Sequence, residues 1–147
     1  MSPYFWKVST TIKTILLVDD DSDDQLLFRE ALAEVDGSVQ CHTARNGIEA
    51  IEALNSGILP DIIVMDVNMP MMNGLECLRE LKATSKLKDI PVIMGSTSCS
   101  ESSQKECFDN GAVGYIEKPS DYFLLCAHVK SILTSGLPAL LKTPAIL

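Results

Sequence analysis

The sequence predicts an α/β domain whose parallel strands are covered by helices on both faces. Short runs such as Thr14–Val18, Ile62–Met65, Pro91–Met94 and Val113–Ile116 are almost continuously apolar, as strands buried on both faces are. The segments between them carry helical spacing and helix start and stop signals. Four of these runs also end in a polar group: Asp19-Asp20-Asp21, then Asp66, then Ser96, then Lys118. In an open parallel sheet the C-terminal strand ends converge on one edge, where ligands bind.

The first strand is predicted over Thr14–Val18. Ser22 then opens a helix with Gln25 as its capping-box partner. Leu26, Leu27, Ala31 and Leu32 supply its apolar face, and Asp36-Gly37 stops it. Val39–Thr43 alternates and reads as the second strand. Asn46 and Glu49 form the next capping pattern, before a helix lined by Ile48, Ile51, Ala53 and Leu54. Gly57 to Pro60 returns the chain to the third strand, Ile62–Met65. The Pro and Gly content of Val67 to Gly74 marks a loop, and Leu75, Leu78 and Leu81 mark the third helix. Pro91–Met94 is the fourth strand. A serine-rich loop from Ser96 to Ser103 leads to a fourth helix that ends at Asn110-Gly111. Val113–Ile116 is the fifth strand. Ser120 caps a fifth helix with Phe123, Leu124, Ala127, Ile132 and Leu133 as its apolar set. Right-handed crossovers between five such units leave few topologies. The expected fold is a flavodoxin-like, doubly wound, five-stranded parallel sheet in the order 2-1-3-4-5, with five helices.

The 147 residues fit one domain, placed at residues 13–134 between an N-terminal extension (1–12) and a C-terminal tail (135–147). Both ends read as loosely ordered termini, with docking on this domain or on a partner as the alternative. Twelve Lys and Arg against twenty Asp and Glu give a formal charge of −8. That argues against sequence-independent binding to nucleic acid or to an anionic membrane. No apolar run approaches a membrane span, and the start lacks a signal peptide's apolar stretch, so a cytoplasmic location is expected. Cys41, Cys77, Cys99, Cys107 and Cys126 are scattered and read as free, reduced thiols. His42 and His128 are isolated and read as structural or surface residues.

The polar strand ends define a chemistry. Asp19, Asp20 and Asp66 offer carboxylates from two strands expected to be neighbours, an oxygen donor set that suits Mg2+. A carboxylate oxygen can attack phosphorus to give an aspartyl phosphate. Lys118 supplies positive charge and Ser96 a hydrogen-bond donor, which is what phosphoryl transfer asks of its surroundings. Asp23 and Asp24 read equally well as a solvated helix start, where acids are favoured, or as part of the acidic site.

Taken together, Val18-Asp19-Asp20-Asp21, Met65-Asp66-Val67-Asn68-Met69-Pro70 with Asn73-Gly74, Pro91-Val92-Ile93-Met94 before Ser96, and Lys118-Pro119 resemble the receiver domain of two-component response regulators. The resemblance covers about residues 13 to 134. It implies that Asp66 is the phosphoacceptor and that Asp19, Asp20, Asp66 and the Asn68 backbone carbonyl hold Mg2+. It implies that Ser96 and Lys118 hold the phosphoryl group and that Tyr115 is the aromatic that turns inward with the switch hydroxyl. It also implies a cis bond at Lys118-Pro119, as the family often has. Gly95 stands where a larger apolar residue is commoner, and Thr97 replaces the usual small residue and narrows access to the site.

The implied function is a response regulator without an output domain, not an enzyme beyond its own phosphorylation and dephosphorylation. A sensor histidine kinase or a histidine phosphotransfer protein donates the phosphoryl group. The surface of helix 4, strand 5 and helix 5 then acts on a downstream protein or pairs with a second copy. A phosphorelay shuttle is the alternative within this reading. A haloacid-dehalogenase-like phosphohydrolase would need an acid where Asn68 stands. A nucleotide-binding domain would need a glycine-rich loop after the first strand, where the acidic run lies. A pseudo-receiver that only binds proteins would be marked by loss of one of these polar groups, and none is lost.

Overall fold

The computed structural model describes residues 12–98 and 100–134. The proposed N-terminal extension, apart from its last residue, and the C-terminal tail lie outside them, as does Cys99. Five parallel strands, β1 (Thr14–Val18), β2 (Gln40–Ala44), β3 (Ile62–Asp66), β4 (Val92–Ser96) and β5 (Gly114–Glu117), form one sheet in the order β2-β1-β3-β4-β5. Five helices join them: α1 (Ser22–Asp36), α2 (Gly47–Asn55), α3 (Gly74–Ala83), α4 (Glu101–Asp109) and α5 (Tyr122–Thr134). This is the expected doubly wound topology.

Alternation along each strand divides the core in two. Leu16, Val18, Ile63, Met65, Val92, Met94 and Tyr115 face one way and pack with Ala50 and Leu54 of α2, Leu78 and Leu81 of α3, and Cys107 of α4. Ile15, Leu17, Ile62, Val64, Ile93 and Ile116 face the other way, against Phe28, Ala31 and Leu32 of α1 and Val129 and Ile132 of α5. Cys41, Cys77, Cys107 and Cys126 are free thiols. Among the described residues, no helix is long and apolar enough to cross a membrane.

Several helix faces differ from their sequence reading. In α1, Leu26 and Leu27 are exposed and Phe28 is buried in their place. In α5, Phe123, Leu124 and Ala127 face solvent, while His128, Val129 and Ile132 are buried. Both helices contain consecutive apolar residues, which support two helical registers, and the sheet selects the one that also aligns the rest of the turn. In α2 Gly47, Ala50 and Leu54 are buried and Ile51 packs beside them as expected, with Ile48 at the surface.

The caps differ too. Asp21, not Ser22, is the N-cap of α1, accepting from the Asp23 and Asp24 amides. A carboxylate at this position adds charge to the hydrogen bond. Gln25 turns back, and its Nε2 donates to the Asp19 carbonyl at 2.6 Å. Asn46 does cap α2, but Glu49 receives the Arg45 amide and guanidinium rather than closing the box. A complete box forms instead at α3, between Asn73 and Glu76. At α5 the Asp121 carboxylate, not Ser120, accepts the Phe123 amide at 2.7 Å. Among the described residues there is no cis peptide, so Lys118–Pro119 is trans. That is the form proline amides prefer by about 0.5–1 kcal/mol.

His128 is 2% exposed, and neither ring nitrogen has a hydrogen-bond partner. Burial pushes its pKa below the ordinary histidine value. The unfolded chain therefore takes up a proton that the fold resists, and stability falls as pH drops through the range below about 6.5. Urea denaturation at pH 7.5 and pH 5.5 is expected to show this loss in the wild type. His128→Phe should make the difference between the two pH values smaller.

Candidate functional site

The parallel register brings the polar strand ends to one edge. Val18 pairs with Met65 and Asp66 with Gly95, while Ser96 pairs with Glu117. Asp19 and Asp20 therefore leave β1 beside Asp66 at the end of β3, next to Ser96 and Lys118. Backbone bonds fix the edge: Asp19 N–H to the Ala44 carbonyl, Val67 N–H to Gly95 and Lys118 N–H to Ser96, each at 2.9 Å. Gly74 closes the loop after Asp66 by donating to the Val67 carbonyl at 2.9 Å. A Cβ on Gly74 would overlap the Asp66 carbonyl oxygen and lie 2.9 Å from Val67 Cα, so only glycine fits there.

Lys118 is the hub of the site. Its Nζ lies 2.8 Å from Asp19 Oδ2, 3.0 Å from Asp24 Oδ2 and 3.1 Å from Asp66 Oδ2. Burial works against the ammonium, but the hydrogen bonds it donates to Asp19 and Asp24 outweigh it, so Lys118 stands above the ordinary lysine value. Asp19 and Asp66 are 4% and 8% exposed, and burial raises both carboxyls above their usual range despite Lys118. The fold thus bears a cost for keeping both ionised, which grows as pH rises through their raised values. Carboxylate oxygens of Asp19, Asp20 and Asp66 lie within 4.8 Å of one another. Three oxygens so placed, two of them on desolvated carboxylates, fit a hard divalent cation, whose charge would offset that cost.

Ser96 is 1% exposed. Its Oγ accepts from the Ser98 amide at 3.1 Å and from Asn68 Nδ2 at 3.4 Å. The Asn68 backbone N–H in turn donates to Asp66 Oδ1 at 3.2 Å, which keeps Asn68 beside the carboxylate. Thr97 is exposed on the turn beyond Ser96. Tyr115 is wholly buried in this structure, with its hydroxyl 3.3 Å from the Ser98 carbonyl and 3.2 Å from Ser103 Oγ on α4. A cavity of about 90 Å³ lies beneath Lys118, between α1 and α5, where Gly95 leaves space beside Ile116.

The structure thus brings together Asp19, Asp20, Asp66, Asn68, Ser96 and Lys118. It also adds a group that sequence reading left open, Asp24. The available signal was helical spacing: Asp24 precedes the buried Phe28 by one turn and so shares its inward face.

The profile of the response regulator receiver domain matches residues 15–130. The chain belongs to this family. Among solved structures, the phosphorylated cyanobacterial phytochrome response regulator RcpA is 36% identical, with a TM-score of 0.76 over 82% of this chain and 90% of that one. The Mn2+-bound response regulator Rcp1 is 29% identical, with a TM-score of 0.74 over 82% of this chain and 91% of that one. The polar-differentiation response regulator DivK of Brucella anthropi is 32% identical over 82% of this chain and 96% of its own length. A protein-glutamate methylesterase/protein-glutamine glutaminase of Rhodospirillum rubrum is 40% identical over 71% of this chain. The chain spans 28% of that protein, so the shared part is a minor fraction of it. Receiver domains are signalling domains that histidine kinases phosphorylate, and they bind Mg2+ at an acidic pocket.

Gly74 positions the Asp66 carbonyl and the start of α3 together. Gly74→Ala is expected to lower the urea midpoint by an amount equivalent to about 1–3 kcal/mol, the usual result of overpacking. An unchanged midpoint would show that the loop after β3 can move aside.

Proposed function

We propose that Asp66 accepts a phosphoryl group from a histidine kinase or a histidine phosphotransfer protein. The observation that carries this reading is the convergence on Asp66 of Asp19, Asp20, Lys118 and, through Asn68, Ser96. An Asp66 carboxylate oxygen attacks phosphorus, the P–N bond to the donor imidazole breaks, and its electron pair stays on the imidazole nitrogen. Asp19, Asp20, Asp66 and the Asn68 carbonyl are the groups that would hold Mg2+, which supplies charge neutralisation between the anionic nucleophile and the phosphoryl oxygens. Lys118, within 3.1 Å of Asp66, neutralises the new phosphoryl group from the side of α1. The Ser96 hydroxyl, now an acceptor from Ser98, rotates to donate to a phosphoryl oxygen. Thr97, exposed next to Ser96, tunes access to the acyl phosphate.

Readout follows from the same hydroxyl. Ser96 accepts the Ser98 amide, and Tyr115 donates to the Ser98 carbonyl while sharing a hydrogen bond with Ser103. Movement of Ser96 therefore pulls on a turn that ties β4, β5 and α4 together. The surface of α4, β5 and α5 is the output face. A separate protein partner reads this face, and a second copy of the chain is the other candidate. The match to nearly the full length of DivK supports a receiver that works as its own protein. The phosphorylated state named for RcpA and the Mn2+ named for Rcp1 support the acceptor and cation roles.

Intact mass spectrometry after incubation with acetyl phosphate and Mg2+ tests the reading. The wild type should gain one phosphoryl group, and Asp66→Asn none. Chelation of the metal should stop labelling of the wild type. Equal labelling of Asp66→Asn would sink the assignment.

A further inference from the structure

Asp24 has no part in the mechanism above, yet its carboxylate lies 3.0 Å from Lys118 Nζ. It also stands outside the Asp19, Asp20 and Asp66 group. Lys118 thus has three acid partners, two of which belong to the cation site. A divalent cation on Asp19 and Asp66 would compete with the ammonium for the same oxygens and repel it. Asp24 is the carboxylate that remains to Lys118 under those conditions.

Two further observations support such a hand-over. Asp24 sits in the first turn of α1, its amide bound to the Asp21 cap at 3.2 Å, so its carboxylate is carried on a fixed element. The Lys118 stem also has room to tilt. The cavity beneath it is lined by Asp24, Leu27, Gly95 and Ile116, and a Cβ on Gly95 would come only to 4.0 Å from Lys118 Cγ.

We propose that Asp24 is a positioning residue, the counter-ion that keeps Lys118 at the mouth of the cleft while a divalent cation occupies the acid group. It holds the ammonium beside Asp66, ready for the arriving phosphoryl oxygens. The proposal rests on the reading of this edge as a metal-assisted phosphoacceptor site.

Calorimetric titration of the full chain with Mg2+ tests it, using wild type, D24N, D24E and D23N. Asp23 is exposed in the same helical turn, whereas the ion pairs of Lys118 are with Asp19, Asp24 and Asp66. D23N therefore removes the same charge without removing the counter-ion. D24N is expected to raise the Mg2+ dissociation constant about fivefold, with D23N and D24E within about twofold of wild type. The 15N signal of the Lys118 ammonium in the Mg2+-loaded protein should be sharp in wild type and D23N and broadened by exchange in D24N. Equal weakening in D24N and D23N with an unchanged ammonium signal would overturn the proposal and leave the phosphoacceptor reading standing. A wild type that binds no Mg2+ would overturn both.

Discussion

Lys118 Nζ lies within 3.1 Å of carboxylates from Asp19, Asp24 and Asp66, and the functional edge depends on that one ammonium. Two of the acids are almost fully buried, and burial disfavours their charge. Without a central cation, the ends of β1 and β3 would place uncompensated carboxylates side by side. A single positive charge shared by three acids leaves the edge short of positive charge. That shortage makes the edge a suitable place for a hard divalent cation.

The sheet makes this arrangement by register rather than by loop design. The residues following β1 and those ending β3, β4 and β5 fall at one level because the strands are parallel and in step. Backbone bonds from Asp19 to Ala44, Val67 to Gly95 and Lys118 to Ser96 continue the ladder beyond the side chains that matter. The loop from Val67 to Gly74 closes tightly on the Asp66 carbonyl and so ties the start of α3 to the end of β3. Tyr115 then joins the same edge to α4 through Ser98 and Ser103.

Much of this was legible in the residues. Strand runs such as Ile62–Met65 are so uniformly apolar that only a doubly covered sheet suits them, and the polar residue after each marks its end. What periodicity did not resolve were helices with adjacent apolar residues. Leu26-Leu27-Phe28 and Phe123-Leu124-Leu125 each offer two faces, and the choice was made by what the sheet beneath could accommodate. Asp24 escaped a firm reading because an acid in a first helical turn is favourable with or without a partner. Its partner, Lys118, is 94 residues away, so no local pattern could pair them. The cap of α1 fell to Asp21 for a similar reason: several consecutive acids and a serine all qualify, and geometry decides among them.

The division of the core has a consequence of its own. β1, β3, β4 and β5 contribute to both hydrophobic clusters, yet the two helix layers meet different side chains of those strands. Changes at Phe28 or Ile132 and changes at Leu78 or Cys107 therefore act on separate packing problems, and distant sites of this kind combine additively. Each layer is free to drift in sequence without consulting the other. The layers are obliged to agree at the strand ends, where a shift in either would disturb the spacing of the same charges. Variation in this protein should thus accumulate as two independent histories joined at one edge.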